Sequence, residues 1–168
     1  LVRSRGLGDV YKRQDTYQRP IYSVIDGICI VDGFILVSHF GWWNPPLLTL
    51  PSDCRPSKRI AFSLNNHANQ ARVDVSSDGR VIWKAGGKIH GWLSLEMVFQ
   101  TTSASPTNLN ETHFADDVSF YSVTEWQRPI YSVIDGFCIV DGMVSVDSWG
   151  HLLTLPEGCR PSKPVSYT

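Results

Sequence analysis

Through most of the chain apolar residues recur at every second position. Residues 59–65, RIAFSLN, set Ile60, Phe62 and Leu64 on one face and Arg59, Ala61, Ser63 and Asn65 on the other. That is the alternation of a half-buried strand. WLSLEMVF repeats it with Leu93, Leu95, Met97 and Phe99. ARVDV and RVIWK flank Ser76, Ser77, Asp78 and Gly79, and a glycine there supplies the positive φ of a hairpin turn. YSVI-DG-ICIV-DG-FILV predicts two more Asp-Gly turns, or one turn and one bulge, because four-residue arms are short. No stretch carries the period of a long helix. Short strands punctuated by Gly, Pro and Asn predict an all-β fold, an antiparallel β-sandwich or jelly-roll-like unit. Arg72 and Asp74 alternate with Val73 and Val75, so they are expected to form cross-strand ion pairs on the solvated face.

The alternation is written twice. Residues 18–32 read QRPIYSVIDGICIVD and residues 127–141 read QRPIYSVIDGFCIVD, an offset of 109 (127 less 18) with one difference. LLTLPSDCRPSK at 47–58 returns as LLTLPEGCRPSK at 152–163, offset by 105 (152 less 47). Chance does not produce such matches. The first copy therefore carries four extra residues, best placed at Trp42, Trp43, Asn44 and Pro45. The predicted organisation is a first β-rich repeat unit over 15–100, a polar linker or long loop over 101–117 (TTSASPTNLNETHFADD) and a truncated second repeat over 118–163. Residues 1–14, LVRSRGLGDVYKRQ, resemble a translated sequencing adapter, and 164–168 resemble its other-end counterpart. Both are expected to add nothing to the fold.

Composition narrows the function classes. The chain of 168 residues is 42% hydrophobic and 18% charged, with six Trp, six Tyr and seven Phe, a globular rather than disordered profile. Removing the adapter-like ends leaves 11 basic and 15 acidic residues, net −4, which argues against a nucleic-acid partner. No apolar run reaches the length of a membrane span, so no membrane insertion is expected.

A resemblance enters with the run from Leu47 to Phe99. It is similar to the β-rich C-terminal head modules of phage tail fibres and of collagen-like and adhesin-like microbial proteins. The shared pattern is a Leu-Pro-x-x-x-Arg-Pro turn (Leu50, Pro51, Arg55, Pro56), an apolar strand ending in Asn65, then Arg72, Val73, Asp74 and Val75. An Asp78-Gly79 turn and a closing strand from Trp92 to Leu95 complete it. The resemblance implies loops that face a receptor or glycan, with no residue implied to be catalytic.

Catalytic and metal chemistry is not suggested by motif. Nucleophile-elbow, zincin, Walker and Cys-x-x-Cys patterns are absent from 15–163, and the histidines lack ligand spacing. No cofactor, metal or enzymatic activity is expected. Cys29 and Cys54 correspond to Cys138 and Cys159, one pair per copy, separated by 25 and 21 residues. Repetition of an even pair favours an intra-unit disulfide, with buried free thiols as the alternative. Asn110, Glu111 and Thr112 form a glycosylation sequon.

Binding chemistry is sought in Trp42, Trp43 and Asn44, which the repeat closes without, and in Asn65, Asn66 and His67 at a strand end. Planar aromatics beside amides suit sugar rings, whose C–H faces stack while hydroxyls hydrogen-bond. The competing reading is that both Trp fold back onto the core. Two function classes follow. One is a noncatalytic recognition or adhesion module, glycan-binding in its sharpest form. The other is a purely structural spacer or assembly repeat, and an unrecognised hydrolase stands behind both. The expected partner is a cell-surface glycan or protein receptor, with assembly as a homo-oligomer a further option. The expected location is extracellular or on a virion surface.

Overall fold

The computed structural model describes residues 5–6, 17–37, 46–87, 90–122 and 124–163. They divide into two compact units, Leu1–Ala104 and Ser105–Thr168. The first contains β1 (Arg5–Gly6), β2 (Ile21–Ile25), β3 (Ile28–Leu36), β4 (Leu48–Thr49), β5 (Ile60–Asn66), β6 (Asn69–Val75), β7 (Arg80–Gly86) and β8 (Trp92–Gln100). All pairings are antiparallel, in one sheet ordered β1-β2-β3-β8 and another ordered β4-β7-β6-β5. In the second sheet β5, β6 and β7 form a meander and β4 returns beside β7, a Greek key.

Period-two patterning explains why the sheets stack. Leu93, Leu95, Met97 and Phe99 of β8 are all fully buried, because alternate residues of a strand point to one face. They share one core cluster with Leu64, Val73, Val75 and Val81 of the opposite sheet, and the Phe62 and Phe99 rings meet with centroids 5.9 Å apart. The unit is thus an all-β antiparallel sandwich. Cys29 on β3 is bonded to Cys54 in the 3-10 turn Ser52–Cys54, with Cα atoms 5.2 Å apart. Neither cysteine is exposed.

The turns follow their residues. Asp26 and Gly27 both take left-handed φ, 48° and 80°, the pattern of a two-residue turn matched to strand twist. The second Asp-Gly pair is no turn. β3 runs straight through it with Gly33 at φ 111°, and a Cβ there would lie 2.5 Å from the Arg19 carbonyl oxygen, an approach that only glycine permits. At the β6–β7 hairpin the Ser76 N–H donates to the Arg80 carbonyl at 3.0 Å.

One expectation about polarity is overturned. Asp74 is not on a wet face, being only 1% exposed. Its two carboxylate oxygens accept from Arg59 Nη2 at 2.5 Å and Arg72 Nε at 3.1 Å. The guanidiniums cover the carboxylate, which satisfies the rule that a buried charge is paired.

The second unit holds β9 (Thr107–Asn108), β10 (Val118–Phe120), β11 (Ile130–Ile134), β12 (Phe137–Asp141) and β13 (Val144–Val146). They form a three-stranded sheet ordered β12-β11-β9 and a β10-β13 pair. Leu109, Val118, Trp126 and Ile130 are buried, and Cys138 is bonded to Cys159. The hairpin β11–β12 pairs Ile130 with Asp141 through Ile134 with Phe137, as β2–β3 pairs Ile21 with Asp32 through Ile25 with Ile28.

The stretch 101–117, expected as a linker, is divided between the units. Residues 101–104 belong to the first, where the Thr101 N–H donates to the Gly27 carbonyl at 2.8 Å and the Thr102 N–H to the Arg55 carbonyl at 2.9 Å. Within the second, Thr107 and Asn108 pair with β11, so that compact unit begins at Ser105 rather than at 118. In the adapter-like segment, Arg5 and Gly6 pair with Tyr22 and Ile21.

Candidate functional site

The β5–β6 hairpin and one residue of β8 build a polar hollow. Asn66 pairs with Asn69 across a turn made by His67 and Ala68, and His67 takes a left-handed φ of 61° to close it. Ser63 and Asn65 share the outward face of β5, since Ile60 and Leu64 hold the inward one. With His67, Asn69, Gln70 and Glu96 they line a depression of 390 Å³. Its groups are hydroxyl, amide, imidazole and carboxylate. Ser63 Oγ donates to Gln70 Oε1 at 2.7 Å, and Ser94 Oγ donates to Glu96 Oε1 at 3.0 Å.

Aromatic rings continue from the hollow. His67 and His90 have centroids 4.2 Å apart, and Trp92 lies 6.2 Å from His67 and 6.0 Å from His90. Trp92 in turn meets Phe34 at 5.6 Å, and Phe34 meets Tyr17 at 5.2 Å. Trp92, Phe34 and His90 are half-buried, so each ring retains some contact with solvent. Polar acceptors and donors next to partly exposed rings are the pairing of groups that a pyranose requires: hydrogen bonds for its hydroxyls and a flat apolar surface for its C–H face.

The residues singled out by sequence fare differently. Asn65 and His67 line the hollow. Asn66 does not. It is fully buried, its amide nitrogen donates to the His90 carbonyl at 3.0 Å and also to the Trp92 carbonyl, and its Oδ1 accepts from the His90 N–H at 3.5 Å. Its place in the alternation turns it inward, so it pins the sheets together and offers nothing to a ligand. Trp42, Trp43 and Asn44 lie outside the described residues. Gln70, Asn69, Glu96 and Trp92 were not foreseen. The alternation of β8 carries the signal for the last two, because buried Leu93 and Leu95 leave Trp92 and Glu96 on the outer face.

Asn110 is in the second unit, exposed, ahead of the 3-10 turn Glu111–His113. Its Oδ1 accepts from Thr112 Oγ1 at 2.6 Å and lies 2.5 Å from His113 Nδ1. The sequon is therefore folded into a capping arrangement at the surface. Among the described residues no three His, Cys, Asp or Glu side chains gather as metal ligands, and no helix is long and apolar enough to cross a membrane. No protein-family model, curated protein or solved structure matches the chain.

Proposed function

We propose that the chain is a noncatalytic surface recognition module that binds glycans at the hollow of β5, β6 and Glu96. The observation that carries this reading is the adjacency of amide, hydroxyl and carboxylate groups to the His67, His90 and Trp92 rings. Glycoside hydrolysis ordinarily uses two opposed carboxylates. Among the described lining residues Glu96 is the one carboxylate, which supports binding over cleavage. The two disulfides support an oxidising, extracellular or virion-surface setting. The likeness of the sequence to tail-fibre and adhesin heads points the same way.

A single shallow site of this kind binds at about −4 kcal/mol, or millimolar, so useful retention needs several copies or self-association. The test is a glycan array probed with the multivalently displayed chain beside its Gln70→Ala variant. Retention of a defined glycan class by the parent and its loss in the variant is the expected result. Equal retention by both, or none by the parent, overturns the reading.

A second reading, a structural spacer or assembly repeat, is favoured by one observation: near-identical sequences form hairpins of identical register in both units. An inert array result together with concentration-dependent association of the chain would select it.

A further inference from the structure

We propose that His67 and His90 form a two-imidazole site for one borderline divalent cation of the Zn²⁺ class, on the rim of the hollow. The site stands on ring geometry and local charge, independent of the glycan reading.

The two histidines are 23 residues apart in sequence (90 less 67), so no ligand spacing announces them. The fold brings their rings to a centroid distance of 4.2 Å with planes inclined at 59°. His113 and His151 instead meet an amide and a hydroxyl, at Asn110 and Thr154. Planes so inclined are not a face-to-face stack, and one nitrogen of each ring can be aimed at a common point.

Zn²⁺ bonds an imidazole nitrogen at about 2.0–2.1 Å, which places it about 3.2 Å from the ring centre. Two imidazoles on one ion, meeting at a right or tetrahedral angle, therefore have centres about 4.5–5.2 Å apart. The rings need to open by only about 0.3–1.0 Å from 4.2 Å to admit the ion. His90 is the fixed jaw, because its N–H donates to Asn66 Oδ1 at 3.5 Å and its carbonyl accepts from Asn66 Nδ2 at 3.0 Å. His67 is the adjustable one, exposed at the tip of the β5–β6 hairpin. Water from the open hollow completes the coordination.

Charge and backbone favour the same assignment. Glu96 lines the hollow with His67, and Asp32 is its cross-strand partner in register. Like charges directly opposite one another on paired strands repel, so a cation beside them is favoured electrostatically. His67 holds a left-handed φ of 61°, a conformation that glycine accepts and a residue with a Cβ resists. A side chain kept in that conformation points to a use for its imidazole.

The test is a Zn²⁺ titration of the metal-free intact chain, followed through the imidazole ring nitrogens by NMR. The expected result is a saturable shift of the His67 and His90 nitrogens in step, at one ion per chain, with His113 and His151 unmoved. Mg²⁺, a hard cation that selects oxygen ligands, is expected to give no such response. His67→Gly removes one imidazole while easing the left-handed turn, so the chain stays folded. Its affinity for Zn²⁺ is expected to fall by about tenfold or more, since loss even of outer-shell partners costs that much. His90→Gln, read beside an amide spectrum that reports folding, is expected to show the same loss from the other ring. Four results overturn the proposal: no saturable shift at His67 and His90, shifts of the two that saturate at different concentrations, an equal response to Mg²⁺, or unchanged affinity in either folded variant.

Discussion

The side-chain amide of Asn66 donates to the backbone carbonyl of Trp92, tying the end of one sheet to the start of the last strand of the other. With its second bond to the His90 carbonyl, it holds the aromatic cluster in place beside the hollow without touching a ligand. Asn66→Ala leaves two carbonyls without their partner in a closed site, at a cost of about 2–3 kcal/mol. Asn65→Ala, one residue earlier and exposed, is expected to stay within about 0.5 kcal/mol. Urea denaturation of both variants checks the contrast.

Asp74 gives a second pair of outcomes. Asp74→Asn removes the buried charge and turns one of its two acceptor oxygens into an N–H donor facing a guanidinium, and is expected to cost about 1–3 kcal/mol. The figure is held down because Arg59 and Arg72 remain 30% and 49% exposed and can turn to water. Arg72→Ala leaves Arg59 on the carboxylate and is expected to cost less than about 1 kcal/mol. Denaturation midpoints at low and high salt separate the two, since screening acts on the exposed partner and little on the buried one.

The β6–β7 turn predicts a pH response. Asp78 has its pKa lowered, first by the hydrogen bond from Ser76 Oγ at 2.5 Å, which outweighs the opposing effect of desolvation, and further by the Arg80 backbone N–H and guanidinium. A depressed folded-state pKa means that the contribution is fully present above the unfolded value and disappears as pH falls through the folded one. The contribution is therefore present at neutral pH and is lost only in acid, below the ordinary aspartate range. Ser76→Ala is expected to move the Asp78 titration upward, as followed by carboxyl carbon NMR shifts, whereas an unchanged midpoint would assign the depression to Arg80.

The bridge between Cys29 and Cys54 closes a 25-residue separation, for which chain entropy gives about 3.5 kcal/mol. The double variant Cys29→Ala, Cys54→Ala is expected to lose about that much or slightly more, because both sulfurs fill fully buried positions. Calorimetry of the intact and double-variant chains measures it.

How much of this was legible in the sequence depended on whether a residue's fate is set locally. Leu93, Leu95, Met97 and Phe99 are buried as their alternation required, and Gly79 sits at φ 88° in the turn its neighbours announced. Asn66 and Asp74 were misjudged because polar residues are placed inside only when partners far along the chain satisfy them, here 26 and 15 residues away. Composition also failed at Thr107 and Asn108, which look like linker yet pair with β11. A two-residue strand carries no period from which it could be recognised. The hollow itself escaped because Glu96 and Gln70 come from different sheets, brought together by the fold alone.

The central claim is that the outer face of the β5–β6 hairpin recognises sugar. Its most direct test is chemical-shift mapping of the isotope-labelled intact chain, titrated with the oligosaccharide best retained on the array. Saturable shifts centred on Asn65, His67, Asn69, Gln70 and Glu96, with the Trp92 indole N–H moving in step, are the predicted result. Saturable shifts that leave these positions still and gather elsewhere, or the absence of any saturable shift, would contradict it.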